Sequence, residues 1–521
     1  MPDRSPSRLC GRHAGALVPL FSIPSRRSWG IGEIPDLVRL GRWLDHAGMA
    51  FVQLLPVNEM QEGQSSPYSA LSAMALDPIF IAIDDLPETA GVAMPRDEQH
   101  AIARARAAAS VQYPAVRAAK RLALERAFAS FEQAELGTGR PQERMFRDFC
   151  EREAWWLDDY VLFRALHEHY HGRHWQEWDP PHRNRDAAAI ADARTGFARP
   201  ILYYSWLQWV ADDQWQRVRT QSPVAILGDF PFMVSGHSAD VWSRQDEFRL
   251  DVSVGVPPDA FSETGQDWGL PLYRWDVIEK RGYEWLRMRA RRCAELYDGF
   301  RIDHLVGFYR TFYRTEDGRQ FFDPPDQPAQ QAQGERLMRV FAEAGVQLIA
   351  EDLGLVPDFV RASIASLGVP GLKVFRWERE WNVEGKPFRD PASYPEHSVA
   401  ITGTHDTESL AEWWDSADPA DRRAALEVPA LREAGLSVSA PYSEELRDLL
   451  LAAIYGSASD LVIMPLQDVF GWRDRINTPA IVSDDNWTWR LPWPVEDLFT
   501  EPVALDRADC LRRLAETTGR N

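Results

Sequence analysis

The sequence predicts an α/β protein: a (β/α)8 barrel with large, mainly helical insertions between barrel strands. Three observations predict it. Eight short apolar runs recur along the chain, amphipathic segments stand between many of them, and charged or polar residues sit where the runs end. Runs of this length suit strands buried on both faces, where continuous apolar sequence replaces alternation. Helices punctuating the strands make the sheet parallel, and eight such units close into a barrel.

The first run, ALVPLF (16–21), is followed by IPDLVRLGRWLDHAG, which ends in Gly as a helix C-cap does. FVQLLPV (51–57) is the second. The third, PVAILGDF (223–230), comes only after 165 residues (58–222), too many for one crossover. That stretch holds an Ala/Arg-rich segment (97–134) and a Trp/His-rich one (144–219), and it reads as an inserted, mainly helical subdomain. A second excursion, 231–280, is rich in Gly, Pro and Trp and reads as an ordered loop system at the barrel mouth. YEWLRMRARRCAELY then leads into GFRID (299–303), RLMRVFAEAG into VQLIAED (346–352), and FVRASIASLG into GLKVFRW (371–377). SVAITGTHD (398–406) precedes a smaller helical insertion at 412–445, after which SEELRDLLLAAIYG leads into DLVIMPLQD (460–468). With no repeat, low-complexity tract or flexible linker, 1–521 reads as a single barrel chain.

Composition narrows the function. The 521 residues carry 58 Lys and Arg against 78 Asp and Glu, a net charge of −20, which argues against nucleic acid or an anionic membrane as partner. No run approaches the ~18 apolar residues of a membrane span, and the first twenty residues lack a signal-peptide core. Cys10, Cys150, Cys293 and Cys510 lie far apart with no CxxC pair, so the expected setting is the reducing cytoplasm. The 21 Trp outnumber the 14 Tyr, which calls for a stacking surface or a crowded core. Trp29 and Trp268 lie near mouth-forming segments and are expected to face ligand. Trp155, Trp156, Trp206, Trp209 and Trp215 fall at helical spacing and are expected to pack.

In such a barrel the C-terminal strand ends form the active site. They carry Asp229, Arg301, Asp303, His304, Glu351, Asp352, His405, Asp406, Gln467 and Asp468. Arg301 and Asp303 are two apart on a strand and share a face, so the guanidinium keeps Asp303 ionised, as a nucleophile requires. Glu351 ends the next strand after an apolar run, where burial raises its pKa and suits it to be a general acid. Two such carboxylates make a retaining glycosidase apparatus, and Asp406 could stabilise the oxocarbenium-like charge or hold sugar hydroxyls. Other readings stand beside these: a structural Arg-x-Asp pair, a Glu351-Asp352 helix cap, or a metal at 303–304 and 405–406. The last is opposed by the lack of HxH or HExxH, so neither metal nor cofactor is expected.

At these residues the sequence resembles glycoside hydrolase family 77, the 4-α-glucanotransferases called amylomaltase or disproportionating enzyme. The resemblance runs from SWGIGEIPDL (28–37) to NWTWRLP (486–492). It includes QLLPVNE, SPYSALSAMALDP, GDFPFMV, SADVW, GVPPDAFSETGQDWGLPLYRW, YDGFRIDHLVGFYR, AEDLG, GVPGLKVFRW, GTHD, PLQD and NTP. The resemblance implies Asp303 as nucleophile, Glu351 as general acid/base and Asp406 as transition-state stabiliser. It implies Arg301, His304 and His405 around the sugar at the cleavage point, Tyr68 beneath it, and Asn477 on a hydroxyl. It further implies Asp229, Asp259, Gln266 and Trp268 as glucan contacts, the last two on a loop overhanging the acceptor side. Four positions depart from the family pattern: His237 for Asp, Thr407-Glu408 for Asn-Asp, and Ala480 for Gly.

The reaction so implied moves an α-1,4-glucan segment between malto-oligosaccharides through a covalent ester on Asp303. A related α-glucan hydrolase and an inactive glucan-binding barrel are the alternatives. Transfer is favoured when a lid excludes water and positions a sugar 4-hydroxyl. The 255–271 segment with Trp268 suits that role; the plainer alternative packs it against the barrel.

Overall fold

The computed structural model describes residues 9, 11–91, 93–258, 265–479, 481 and 483–520. Numbered in chain order, the barrel strands are β1 (His13–Leu17), β2 (Phe51–Gln53), β3 (Ala225–Phe230), β6 (Gly299–Ile302), β9 (Gln347–Ala350), β10 (Gly371–Val374), β11 (Ser398–Ile401) and β12 (Leu461–Pro465). They close in the order β1-β12-β11-β10-β9-β6-β3-β2, and each neighbouring pair is parallel. This is the (β/α)8 barrel that the apolar runs predict. Phe51, Leu227, Phe300, Val399 and Val462 are wholly buried.

Each of the eight runs contains or adjoins a barrel strand. The first is displaced: β1 begins at His13, ahead of ALVPLF, and residues Leu20–Ser22 turn into a 3-10 helix. The strand's small residues hide it from a hydrophobicity reading. They are small for a reason, because a Cβ on Gly15 would run into the Phe51 ring of β2. The amphipathic segments form the helices Asp36–His46, Glu284–Leu296, Gln327–Ala342, Asp358–Ser366 and Glu444–Tyr455. The last is capped by the Ser443 hydroxyl, which accepts from the Leu446 N–H at 3.2 Å.

Between β2 and β3 lie the helices Arg96–Ala107, Tyr113–Ala134, Pro141–His169, Ala187–Gly196 and Ala198–Gln221. Trp156, Trp206 and Trp215 are buried here, while Trp155 and Trp209 are half-buried against the same core. The helix Ala198–Gln221 belongs to the barrel's outer ring. It enters β3 directly, and its Trp215 indole donates at 2.8 Å to Leu296 O on the neighbouring ring helix.

The 231–280 excursion, expected as a loop system, carries two strands, β4 (Phe248–Val256) and β5 (Gln266–Tyr273). They join β7 (Thr311–Thr315) and β8 (Gln320–Asp323) in an antiparallel sheet of order β5-β4-β7-β8. Register shifts within the β4–β5 pair break the alternation that would have marked it in sequence. Its two halves leave the barrel after β3 and after β6, so the sheet stands beside the mouth. No helix among the described residues is long and apolar enough to cross a membrane.

Candidate active site

The site is organised by one guanidinium. Arg301 and Asp229 are Cα partners on the adjacent strands β6 and β3, so their side chains leave the barrel side by side. Arg301 grips Asp229 with two bonds, Nε to Oδ1 at 3.0 Å and Nη2 to Oδ2 at 2.7 Å. The same Nη2 reaches Asp303 Oδ1 at 2.7 Å, and Nη1 reaches Glu351 Oε2 at 2.8 Å. Arg301 is 4% exposed and Asp229 fully buried, whereas Asp303 and Glu351 keep 24% and 22%. The inner pair is therefore scaffold, and the outer two face the mouth. Arg-x-Asp is here one part of a three-carboxylate array, which goes beyond a plain structural ion pair.

Tyr68 enters from the loop after β2. Its hydroxyl donates to Asp229 Oδ2 at 2.6 Å and accepts from Arg301 Nη2 at 2.9 Å. Its ring stacks on His405, centroids 5.6 Å apart, and Trp487 is tilted against both. His405 Nε2 lies 3.2 Å from the Tyr68 hydroxyl and 3.3 Å from Asp406 Oδ2. Asn477 completes this side, donating its amide to Asp406 Oδ1 at 2.6 Å and its backbone N–H to His405 O at 3.1 Å. Burial would raise the Asp406 carboxyl, but His405 and Asn477 outweigh it and hold the pKa at about 2.

The Asp303–Glu351 pair corrects one sequence expectation. Arg301 serves both carboxylates, and Glu351 gains a second donor, the His304 backbone N–H at 2.8 Å. His304 takes the left-handed conformation, φ 43°, which is uncommon for a side-chain-bearing residue and aims that N–H at Glu351. Burial raises both groups. For Glu351, Arg301 and the His304 N–H prevail and its pKa falls below the ordinary value. For Asp303, burial and the negative charges of Glu351 and Asp229 prevail over Arg301, and its pKa rises well above the ordinary value. Both directions run opposite to those expected from sequence, because one guanidinium serves three carboxylates and Glu351 gains the His304 N–H as well. Nη2 and Nη1 of one guanidinium thus hold the two carboxyls beside each other.

The remaining expected residues fall at different distances from this centre. Trp268, on β5, sets its ring edge-on to His304 with centroids 4.9 Å apart, and its indole N–H donates to Gln266 Oε1 at 3.2 Å. Both stand on the flanking sheet's side of the mouth. Asp259 and Ala480 lie outside the described residues. Trp29 does not face the mouth. It is 2% exposed, and its indole donates to Asp84 at 3.1 Å. Asp352 is spent inside the fold, accepting the Leu372 N–H at 2.8 Å, and the helix Asp358–Ser366 is preceded by Pro357, so the 351–352 pair caps nothing. His237 packs in an imidazole cluster, stacked on His174 at 4.4 Å with its Nε2 3.1 Å from that of His167.

Sequence reasoning missed Gln53, Gly403 and Thr404, which line a small cavity with Arg301 and His405 at the barrel's centre. It also passed over Arg376, buried beneath the GTHD loop. Gln53 and Arg376 lie within apolar runs, where a single polar residue was a signal that could have been used.

The 4-alpha-glucanotransferase family model of glycoside hydrolase family 77 matches residues 18–496. A 4-alpha-glucanotransferase from Thermus thermophilus is 34% identical over 98% of this chain and 99% of its own. One from Chlamydia caviae is 31% identical over 93% and 92%. Among solved structures, amylomaltase from Streptococcus agalactiae in complex with acarbose superposes with a TM-score of 0.83 at 27% identity, covering 98% of this chain and all of that one. A single barrel with this carboxylate array, matched by the family model along nearly its whole length, places the chain in glycoside hydrolase family 77, the 4-alpha-glucanotransferases.

Proposed function

We propose that this chain transfers α-1,4-glucan segments between malto-oligosaccharides by retaining double displacement, with Asp303 as nucleophile and Glu351 as general acid/base. One observation carries the residue assignment: Arg301 bonds Asp229, Asp303 and Glu351 at once, and the last two face the mouth. Close carboxylates of this kind form a covalent glycosyl ester instead of activating water directly.

In the first step Glu351 protonates the glycosidic oxygen while Asp303 attacks the anomeric carbon; the glycosidic C–O bond breaks, and the leaving sugar departs with the proton. The reaction needs the proton on Glu351 and the charge on Asp303, and positive charge growing at the anomeric carbon stabilises the Asp303 anion. Asp406, kept ionised by His405 and Asn477, lies across the site as a fixed negative charge for the oxocarbenium-like transition state. In the second step Glu351, now anionic, takes the proton of an incoming sugar 4-hydroxyl, and the C–O bond to Asp303 breaks. Tyr68, Arg301, His304 and His405 surround the sugar at the cleavage point. Asn477 and Asp229 hold the groups that touch it. Gln266 and Trp268 serve the acceptor side, where Trp268 presents a stacking surface that competes with water, and Asp259 is a further glucan contact implied by the family. The substrates are α-1,4-glucans as donor and acceptor, and the cytoplasm is the proposed setting.

Incubating the purified protein with maltotriose tests this. A ladder of longer maltodextrins together with glucose is the expected product pattern. Accumulation of shorter sugars alone would assign hydrolysis, and unchanged maltotriose would overturn the catalytic reading.

A further inference from the structure

We propose that Glu408, held between Arg376 and Arg475, is a positioning residue that sets Asp406 against Asn477. The inference rests on the transition-state role of Asp406 and concerns a departure from the family pattern that the reaction itself leaves unexplained.

The segment 402–410 carries His405 and Asp406 and is tied at both ends from beneath. Arg376, in the 3-10 turn after β10, is 4% exposed; its Nη2 donates to Thr402 O at 3.1 Å, and its Nη1 lies 2.6 Å from Glu408 Oε1. Asp468, 1% exposed, accepts from the Thr402 hydroxyl at 2.5 Å and the Leu410 N–H at 2.6 Å. Between these anchors the segment braces itself. Thr407 Oγ1 accepts the Thr404 N–H at 3.0 Å and donates to Thr404 O at 3.2 Å, while Thr404 Oγ1 accepts the Asp406 N–H at 3.2 Å. The space is filled: a Cβ on Gly403 would stand 2.5 Å from Thr407 Oγ1 and 3.3 Å from Arg376 Nη2. Thr407 is thus the segment's internal brace and Glu408 its outward tie.

The tie has a second end. Arg475 Nη2 lies 3.9 Å from Glu408 Oε2, and Nη1 lies 3.5 Å from Glu412 Oε1. Two residues further on, Asn477 makes its two bonds to His405 and Asp406. One carboxylate therefore joins the end of β10, the segment after β11 and the segment bearing Asn477. A buried guanidinium needs a nearby anion, so removing the Glu408 charge leaves Arg376 to Asp468 alone and frees the Asp406 side of the segment. Small displacements at a reacting centre are felt in turnover before they are felt in ground-state binding.

The test measures kcat and KM for maltotriose disproportionation by Glu408→Gln, Glu408→Asp, Asp406→Asn and the double variant Asp406→Asn/Glu408→Gln. Glu408→Gln should lower kcat about 10- to 100-fold with KM within about twofold, and Glu408→Asp should recover part of the loss. The double variant should be no slower than Asp406→Asn alone, because residues acting through one group are not additive. Multiplying losses, or a wild-type kcat in Glu408→Gln, would overturn the inference. Wild-type turnover in Asp406→Asn would instead overturn the role of Asp406, which keeps the two failures apart. Should Glu408→Gln not fold, Arg475→Gln breaks the same tie from a side chain that is 27% exposed, and the same non-additivity with Asp406→Asn is required of it.

Discussion

Arg301 organises the site, and the sharpest predictions belong to single residues around it. A pair holding one proton is active only in that state, so kcat/KM should follow a bell-shaped pH profile. The two limbs are titrations of the pair, set apart because burial and the neighbouring carboxylates raise Asp303 while Arg301 and the His304 N–H lower Glu351. Activity therefore falls as pH drops through the lower value and again as it rises through the upper one. Asp303→Asn should lose at least ~10²–10⁴-fold in transfer, the scale of general catalysis, and near-normal turnover would sink the nucleophile assignment. In Glu351→Gln both steps should stall, with azide restoring cleavage of an activated donor, because this anion attacks the glycosyl ester on Asp303 without needing a base to take its proton. Failure of azide to do so would argue against the acid/base role.

At the scale of elements, the imidazole cluster gives a prediction with a defined sign. Burial first, then the neighbouring His174, His167 and Arg164, hold His237 at about 3; burial and Arg164 hold His167 at about 4. Between these values and the ordinary imidazole value the unfolded chain binds protons that the folded chain refuses. Stability is thus lost as pH falls through that window and levels off below it. Urea unfolding should show the wild type losing more stability than His237→Asn between about pH 7 and about pH 5; parallel losses would dismiss the cluster. The elements also show what sequence could convey. Barrel strands such as AILGDF and SVAI are apolar on both faces, so their runs were legible without any partner in view. The β4–β5 pair was not, because FRLDVSVGV is half-exposed and bulged, and its partners β7 and β8 come from beyond the catalytic strand. Asp303 and Glu351 were legible because strand ends converge in a barrel. Their protonation was not, since it depends on Asp229 and on a left-handed His304 whose N–H no residue pattern reveals.

At the scale of the molecule, the barrel closes where β1 meets β12, strands more than 400 residues apart, and that seam is held by two arginines. Arg12 donates to Ser457 O at 2.9 Å and Ala458 O at 3.2 Å. Arg520, after the helix Pro502–Thr518, is fully buried and donates to Tyr455 O at 2.7 Å, Ser457 O at 2.7 Å, Ser459 O at 2.8 Å and Asp460 O at 3.1 Å. Burial and the charge of Arg12 lower its pKa to about 10, which still leaves it protonated at neutral pH. A planar fork meeting four carbonyls satisfies the turn that feeds β12, and no other side chain has that many donors in one plane. Arg520→Met should strand those carbonyls and lower the unfolding free energy by about 3 kcal/mol or more. Arg520→Lys should recover only part, because one ammonium has three donors and no fork. Since the seam lies at the strands' N-terminal ends and the chemistry at their C-terminal ends, kcat and KM for maltotriose should stay at wild-type values below the unfolding transition. Denaturant midpoints measured beside turnover separate the two effects. An unchanged midpoint would show that the seam does not depend on Arg520, and a fall in kcat without a fall in midpoint would show that the two ends of the barrel are not independent.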